Sequence, residues 1–337
     1  MISKLLFLAI LFNFSTQIFA NEKSSKEEVS HAALNIRIKK VGLSIGNSQE
    51  HTGVRINWCD KEVKQINGFN FSIWRPQVNK DAEYNGINFG LVGNQAKSIN
   101  GLGIGLVGMS VEKELNGIAI GGVGLAGEKI NGIAIGGIGL AVEELNGFSF
   151  ALIGTAAEKV RAISFNGIGM AGENMKGIFI NGLGMGAENV SGFSFNGLGM
   201  GVQNLTGIHL AGLGIGANDV AGLVVAGLGI GANNVKGITL TGVGVGANEI
   251  TGFSFALLGI GANKFKGISL ALGTNKTEDF SGLAVSSYND TKNQFNGISI
   301  GIVNLAKNLN GVQLGLFNYA GNNPIWARIL PFVNAHF

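Results

Sequence analysis

The chain repeats itself every 15 residues with almost no slippage. A glycine closes the opening pair of each unit at Gly117, Gly132, Gly147, Gly177, Gly192, Gly207, Gly222, Gly237, Gly252, Gly267, Gly282 and Gly297, and Ala162 fills the one missing slot. A typical unit, starting at Asn116, reads NGIAIGGVGLAGEKI. Such a beat describes one small structural element made many times over, with no obvious place for a single catalytic centre. What fifteen residues build is therefore the main question.

Composition removes several answers. Glycine accounts for 56 of 337 residues and charged residues for only 13%, against about 25% charge in an ordinary soluble domain. No strict G-X-Y period exists and only 3 prolines occur, which excludes collagen. Cys59 is the single cysteine, so a disulfide framework is excluded as well.

Residues 1–20, MISKLLFLAILFNFSTQIFA, have the layout of an export signal: Lys4 at the start, an apolar run from Leu5 to Phe14, and Ala20 before the cut. Ile18 at minus three departs from the usual small residue. The apolar run is short for a retained membrane helix. Losing Lys4 with the leader takes the formal charge from +3 to +2, too weak a bias to attract nucleic acid. Residues 21–33 form a polar, flexible lead, and 34–337 form a single β-repeat domain with its regular array over 115–297. After the leader no apolar stretch reaches the roughly 20 residues of a spanning helix.

Within GIAI, small and large apolar residues alternate with period 2, which is strand periodicity, and Asn-Gly between units is a turn signal. One strand per unit gives about 20 short strands, from Leu34–Ile45 to the closing segment Ile325–Phe337.

The first architecture these strands suggest is a repeat-built transmembrane β-barrel with tight turns. A membrane strand needs about 9–11 residues, which leaves almost nothing of each fifteen for loops. Charge placement agrees. Residues 116–127 carry none before Glu128 and Lys129, and 130–142 carry none before Glu143 and Glu144. The closing strand places Val333, Ala335 and Phe337 on one face, and an alternating last strand ending in Phe is read as an outer-membrane insertion signal. The second architecture is a β-solenoid with 15-residue coils. From Leu115 every fifth residue to Leu270 is apolar except Thr155, so Leu115, Ile120, Leu125 and Ile130 would form interior ladders. Ile118 and Val123 would add a second inward position on two faces, and Asn218, Asn233, Asn248 and Asn263 would stack inside the third. The solenoid also explains why Ile130, Val160, Val190 and Val220 stay apolar inside what a barrel would use as turns.

The copies GVRINWCDK, INGFNFSIW, YNGINFGLVG and NGISIGIVNLAKNLNGVQLGLFN, with the ending ILPFVNAHF, resemble the LA_2272-type surface-repeat protein family of Gram-negative bacteria. The resemblance covers roughly residues 41–337. It implies an exported, surface-associated chain and supplies no catalytic or binding residue.

Chemistry is sparse. His31, His51, His209 and His336 lack metal-ligand spacing. Cys59, beside Trp58 and Asp60, reads as a lone buried thiol. The GLGIG runs recur too often to be phosphate loops. Glu112, Glu128, Glu143, Glu158, Glu173 and Glu188 recur once per unit, as solvated turn residues or, in stacked coils, as an acidic ladder offset by Lys113, Lys129 and Lys159. Trp and Tyr are confined to the terminal thirds.

The expected function follows the fold. A barrel would be structural or form a weakly selective passage in the outer membrane. Its partners would be outer-membrane lipid, the barrel-assembly machinery and an envelope protein. A solenoid would be a surface-exposed adhesion or protein-interaction module. No enzyme activity, cofactor, metal or nucleic-acid partner is expected.

Overall fold

The computed structural model describes residues 32–38 and 41–337. The expected export leader, most of the expected polar lead and His31 lie outside the described residues. The chain divides into two compact units, Met1–Gly182 and Leu183–Phe337.

Each unit is a β-solenoid, not a barrel. In the first, strand Gly124–Gly136 pairs in parallel with Gly108–Gly121 on one side and Gly139–Ala151 on the other. Equivalent residues sit on one another: Leu125 on Leu140, Ile130 on Leu145, Gly132 on Gly147. The second unit repeats the arrangement, with Ile215 on Ile230 and Gly222 on Gly237. A barrel of tight-turned strands requires antiparallel neighbours, so parallel pairing overturns it. In-register stacking also explains the constancy of the beat, because each residue type meets its own kind in the next coil.

A coil is one strand bent at three places. The first bend is the repeat glycine. Gly132 has φ +130°, a conformation L side chains avoid, and a Cβ there would stand 2.0 Å from the Gly117 carbonyl oxygen. Ala162 occupies the same slot, paired with Gly147 and Gly177, but without a positive φ. The second bend is a two-residue step such as Gly137-Ile138. The third falls near Glu128, which the pairing of Gly127 with Val142 and Lys129 with Glu144 passes over. Indels concentrate at the bends. The register shifts between Val111 and Glu114, beside the extra residue of that coil.

Two large columns fill the interior. Leu115, Ile130, Leu145 and Val160 form one, each at most 1% exposed. Leu125 and Leu140 belong to the other, at 2% and 1%. The residues that sit awkwardly in a barrel's turns are thus the core of a solenoid. The third expected ladder does not form: Ile118 and Ile133 are 38% and 37% exposed, Ile120 and Ile135 also face outward, and Ala119, Gly121, Ala134 and Gly136 point inward in their place. A coil of this size has room for two large columns, and the remaining side contributes mostly small residues, with Phe179 a large exception. Val123 likewise lies at a bend and is only half-buried. Asn218, Asn233, Asn248 and Asn263 do stack, with Asn263 donating to Asn248 at 2.7 Å, but on the exposed side of the coil.

Both ends change direction. Ala33–Ile38 and Val41–Gly46 pair antiparallel at the start of the first unit. Strand Ile329–His336 lies antiparallel on Val303–Ala320 in the second, with Val333 opposite Leu314 and Ala335 opposite Val312. Without a barrel to close, this strand covers the last open ladder edge. Ile325–Ala327, expected within the closing strand, is a 3₁₀ turn, and Phe337 is 90% exposed.

Candidate interaction face

The three residues after each repeat glycine define one side of every coil. In the first unit they read VRI, FNF, INF, LGI, IAI, IAI, FSF, ISF and IFI, after Gly53, Gly68, Gly86, Gly101, Gly117, Gly132, Gly147, Ala162 and Gly177. In the second unit they read FSF, IHL, LVV, ITL, FSF, ISL, LAV, ISI and VQL, from Phe193 to Leu314. Every middle residue is buried and no outer residue is. The outer positions are Val, Ile, Leu or Phe without exception. Each unit therefore presents two parallel columns of large apolar side chains to the outside over nine successive coils. The neighbouring bend extends the apolar surface, with Ile138 at 43%, Ile168 at 45% and Leu228 at 53% exposed.

Charge gathers at the opposite corner, with further exposed cations at Arg161, Lys176, Lys236 and Lys266, one residue before the repeat position. Lys129 pairs with Glu144 at 3.3 Å in the first unit and Lys264 with Glu249 at 3.3 Å in the second. Glu128, Glu143 and Glu158 of the acidic series lie here, interleaved with Lys113, Lys129 and Lys159. Among the described residues no group of three or more His, Cys, Asp or Glu is placed to hold a metal ion. Next to it, Asn67, Asn85, Asn100, Asn116, Asn131 and Asn146 form a hydrogen-bonded ladder with steps of 2.8–3.0 Å. The charge-free windows of the sequence are thus the apolar side and the Gly/Ala side of a solenoid with one wet corner.

Under the face, many of the middle residues are polar and buried. Arg55 is the one basic side chain among them with a permanent charge, and it is fully buried. It forms an ion pair with Asp60, donates to Asn70 Oδ1 at 2.6 Å and to Asn47 Oδ1 at 2.9 Å. Tyr84 donates its hydroxyl to Asp60 Oδ2 at 3.0 Å. Burial works against the Asp60 charge, but the Arg55 guanidinium, with hydrogen bonds from Ser72 and Asn57, holds the carboxyl below its ordinary range. Burial and the Asp60 charge push the Tyr84 hydroxyl well up. Cys59 is half-buried, with its thiol raised by burial and then by Asp60. This network was not anticipated from the sequence. Its only signal was a charged residue inside the apolar pair of VRI.

In the second unit, His209 replaces the small middle residue. Its Nδ1 lies 2.8 Å from Ser194 Oγ, and burial lowers its pKa. Further on, one interior column changes from Ile260 to Asn275, Asn289, Asn304 and Asn318, each amide donating to the next at 3.0, 2.8 and 2.8 Å. The other column becomes Phe265, Phe280 and Phe295, stacked at 5.0 and 5.1 Å. The larger ring offsets the smaller amide, and the coil stays filled.

The arrangement defines a class: a parallel β-solenoid with an outward apolar plane. No protein-family model matches the chain, and neither a curated protein nor a solved structure matches it.

Proposed function

We propose that this protein is an interaction module of the cell envelope, an exported β-solenoid that docks through its apolar plane. One observation carries the reading: the outer positions of every repeat tripeptide are large, apolar and unburied. An isolated soluble protein rarely leaves a contiguous apolar surface beyond a few hundred Å² uncovered. A surface that recurs in every coil is a built feature. The passage expected of a barrel has no counterpart in this reading, since side chains fill the coil interior. We read the chain as a binding scaffold and not as an enzyme. Export rests on the leader-like residues 1–20 and on the resemblance to surface-repeat proteins.

The test is thiol labelling in cells of a Cys59→Ser background. An Asn131→Cys label on the wet side should react with a membrane-impermeant maleimide. An Ile163→Cys label on the apolar side should be protected until detergent is added. Equal labelling at both positions in untreated cells would contradict a docked plane, and no labelling at Asn131→Cys would contradict surface location.

A further inference from the structure

We propose that the occupant of the apolar plane is a second copy of this chain, laid face to face in a symmetric homodimer; the inference rests on the reading of that plane as a docking surface. Three properties of the plane point to a copy over other partners.

The first is composition. The outer columns hold only Val, Ile, Leu and Phe. Elements that rest on a bilayer set Trp, Tyr, Lys or Arg beside their apolar residues; the columns hold none, and an exposed Trp pair flanks them at the first coils of the first unit, Trp58 and Trp74. Partners that come and go leave polar groups across the contact. An obligate homodimer interface resembles a domain core cut in half, and this is core composition.

The second is area. Nine coils at about 4.8 Å each span about 43 Å, and five residues across the side span about 16 Å. Pairing the plane of one unit with an equal surface removes about 1,400 Å² in total, within the 1,200–2,000 Å² of stable complexes. One unit alone reaches the size a dimer needs.

The third is self-complementarity. The side chains stand in straight columns on a parallel sheet, and sheets with apolar faces pack about 10 Å apart. A two-fold axis lying between the two planes and running along the columns sets each coil against the same coil of its copy, one column on the other, which an isologous contact requires. Ion pairs lie on the opposite corner, at Lys129–Glu144 and Lys264–Glu249, and the exposed cations Arg161, Lys176, Lys236 and Lys266 stay outside the columns, one residue before the repeat position.

The experiment is sedimentation velocity on the leaderless chain in detergent-free buffer. The wild type should run at twice the chain mass. Lysines placed on the plane, Ile133→Lys with Phe150→Lys and Phe195→Lys with Ile208→Lys, should weaken association at least 100-fold with an unchanged β-sheet circular dichroism spectrum. Glu128→Lys on the wet corner should leave it intact. Should the lysine variants fail to fold, a nitroxide at Ile163→Cys in the Cys59→Ser background replaces them: it should show dipolar broadening that dilution with unlabelled chain removes. A dimer indifferent to the lysines, or a label without that broadening, overturns the proposal. A wild-type monomer that floats with phosphatidylcholine vesicles, and loses flotation with the lysines, overturns the homodimer and keeps the docking plane. A monomer that binds no vesicles overturns both.

Discussion

Arg55 and Asp60 form an ion pair sealed inside the first unit, at 0% and 3% exposure. Arg55 sits at a middle position that holds a small side chain in most later coils. Asn47, Asn57, Asn70 and Tyr84 add hydrogen bonds around them, and Arg55 Nε alone of the guanidinium nitrogens has no partner. Removing one partner strands a buried charge, which costs about 3–5 kcal/mol. Arg55→Ala or Asp60→Asn should lower unfolding stability by that order in denaturant titrations. Arg55→Met with Asp60→Leu should cost less than either single change. The pH dependence has a definite sign. The folded Asp60 pKa is depressed, so its contribution is full above the unfolded carboxylate value of about 3.9 and is lost as pH falls through the folded value.

The repeat glycine and Ala162 make a paired prediction. Gly132→Ala places a Cβ against the Gly117 carbonyl in a left-handed backbone and should destabilise by more than about 1 kcal/mol. Ala162→Gly, in a slot without positive φ, should cost only about 0.5–1 kcal/mol. Thermal unfolding of the two variants separates them by rank.

His209 gives the second unit its own pH response. It faces Ser194 Oγ and the Thr206 backbone, and burial depresses its pKa. The unfolded chain therefore takes up a proton that the folded one resists. Stability is full above about pH 6.5 and falls as pH drops from there toward the folded value. His209→Ser, which copies Ser194 of the preceding coil, should flatten that part of the stability–pH curve. A curve of unchanged slope would contradict the assignment.

The buried amide ladder should matter more than its size suggests. Asn289 accepts from Asn275 and donates to Asn304 and to the Ile300 carbonyl. Asn289→Ala removes these hydrogen bonds, at about 0.5–1.5 kcal/mol each, while Asn304 Oδ1 keeps Ser299 and the Ile300 carbonyl keeps the Ser286 amide. Hydrogen exchange should speed up locally across 274–320 before the rest of the second unit responds.

The period, the strands and the core column through Leu115, Ile130 and Val160 were legible because a 15-residue repeat stacks like on like. Direction was not. The charge-free windows fit membrane strands and solenoid sides equally, since both exclude charge along a strand. The orientation of the tripeptides was misread for a different reason. Hydrophobicity puts Ile118 and Ile120 inside, but Leu115 and Leu125 already fill the coil, and volume decides. The Arg55 network depends on Asp60 returning from beyond a bend, which no local pattern announces.

The account stands on in-register parallel stacking, since that alone turns both apolar columns to one side. The direct measurement is the spacing of nitroxides at Thr206→Cys and Ala221→Cys in the Cys59→Ser background, a pair that sits side by side on neighbouring coils. Parallel coils place their backbones about 4.8 Å apart, and strong dipolar broadening should appear within one molecule and survive dilution with unlabelled chain. Antiparallel strands would carry equivalent positions to opposite ends, and sharp, uncoupled spectra would contradict the solenoid.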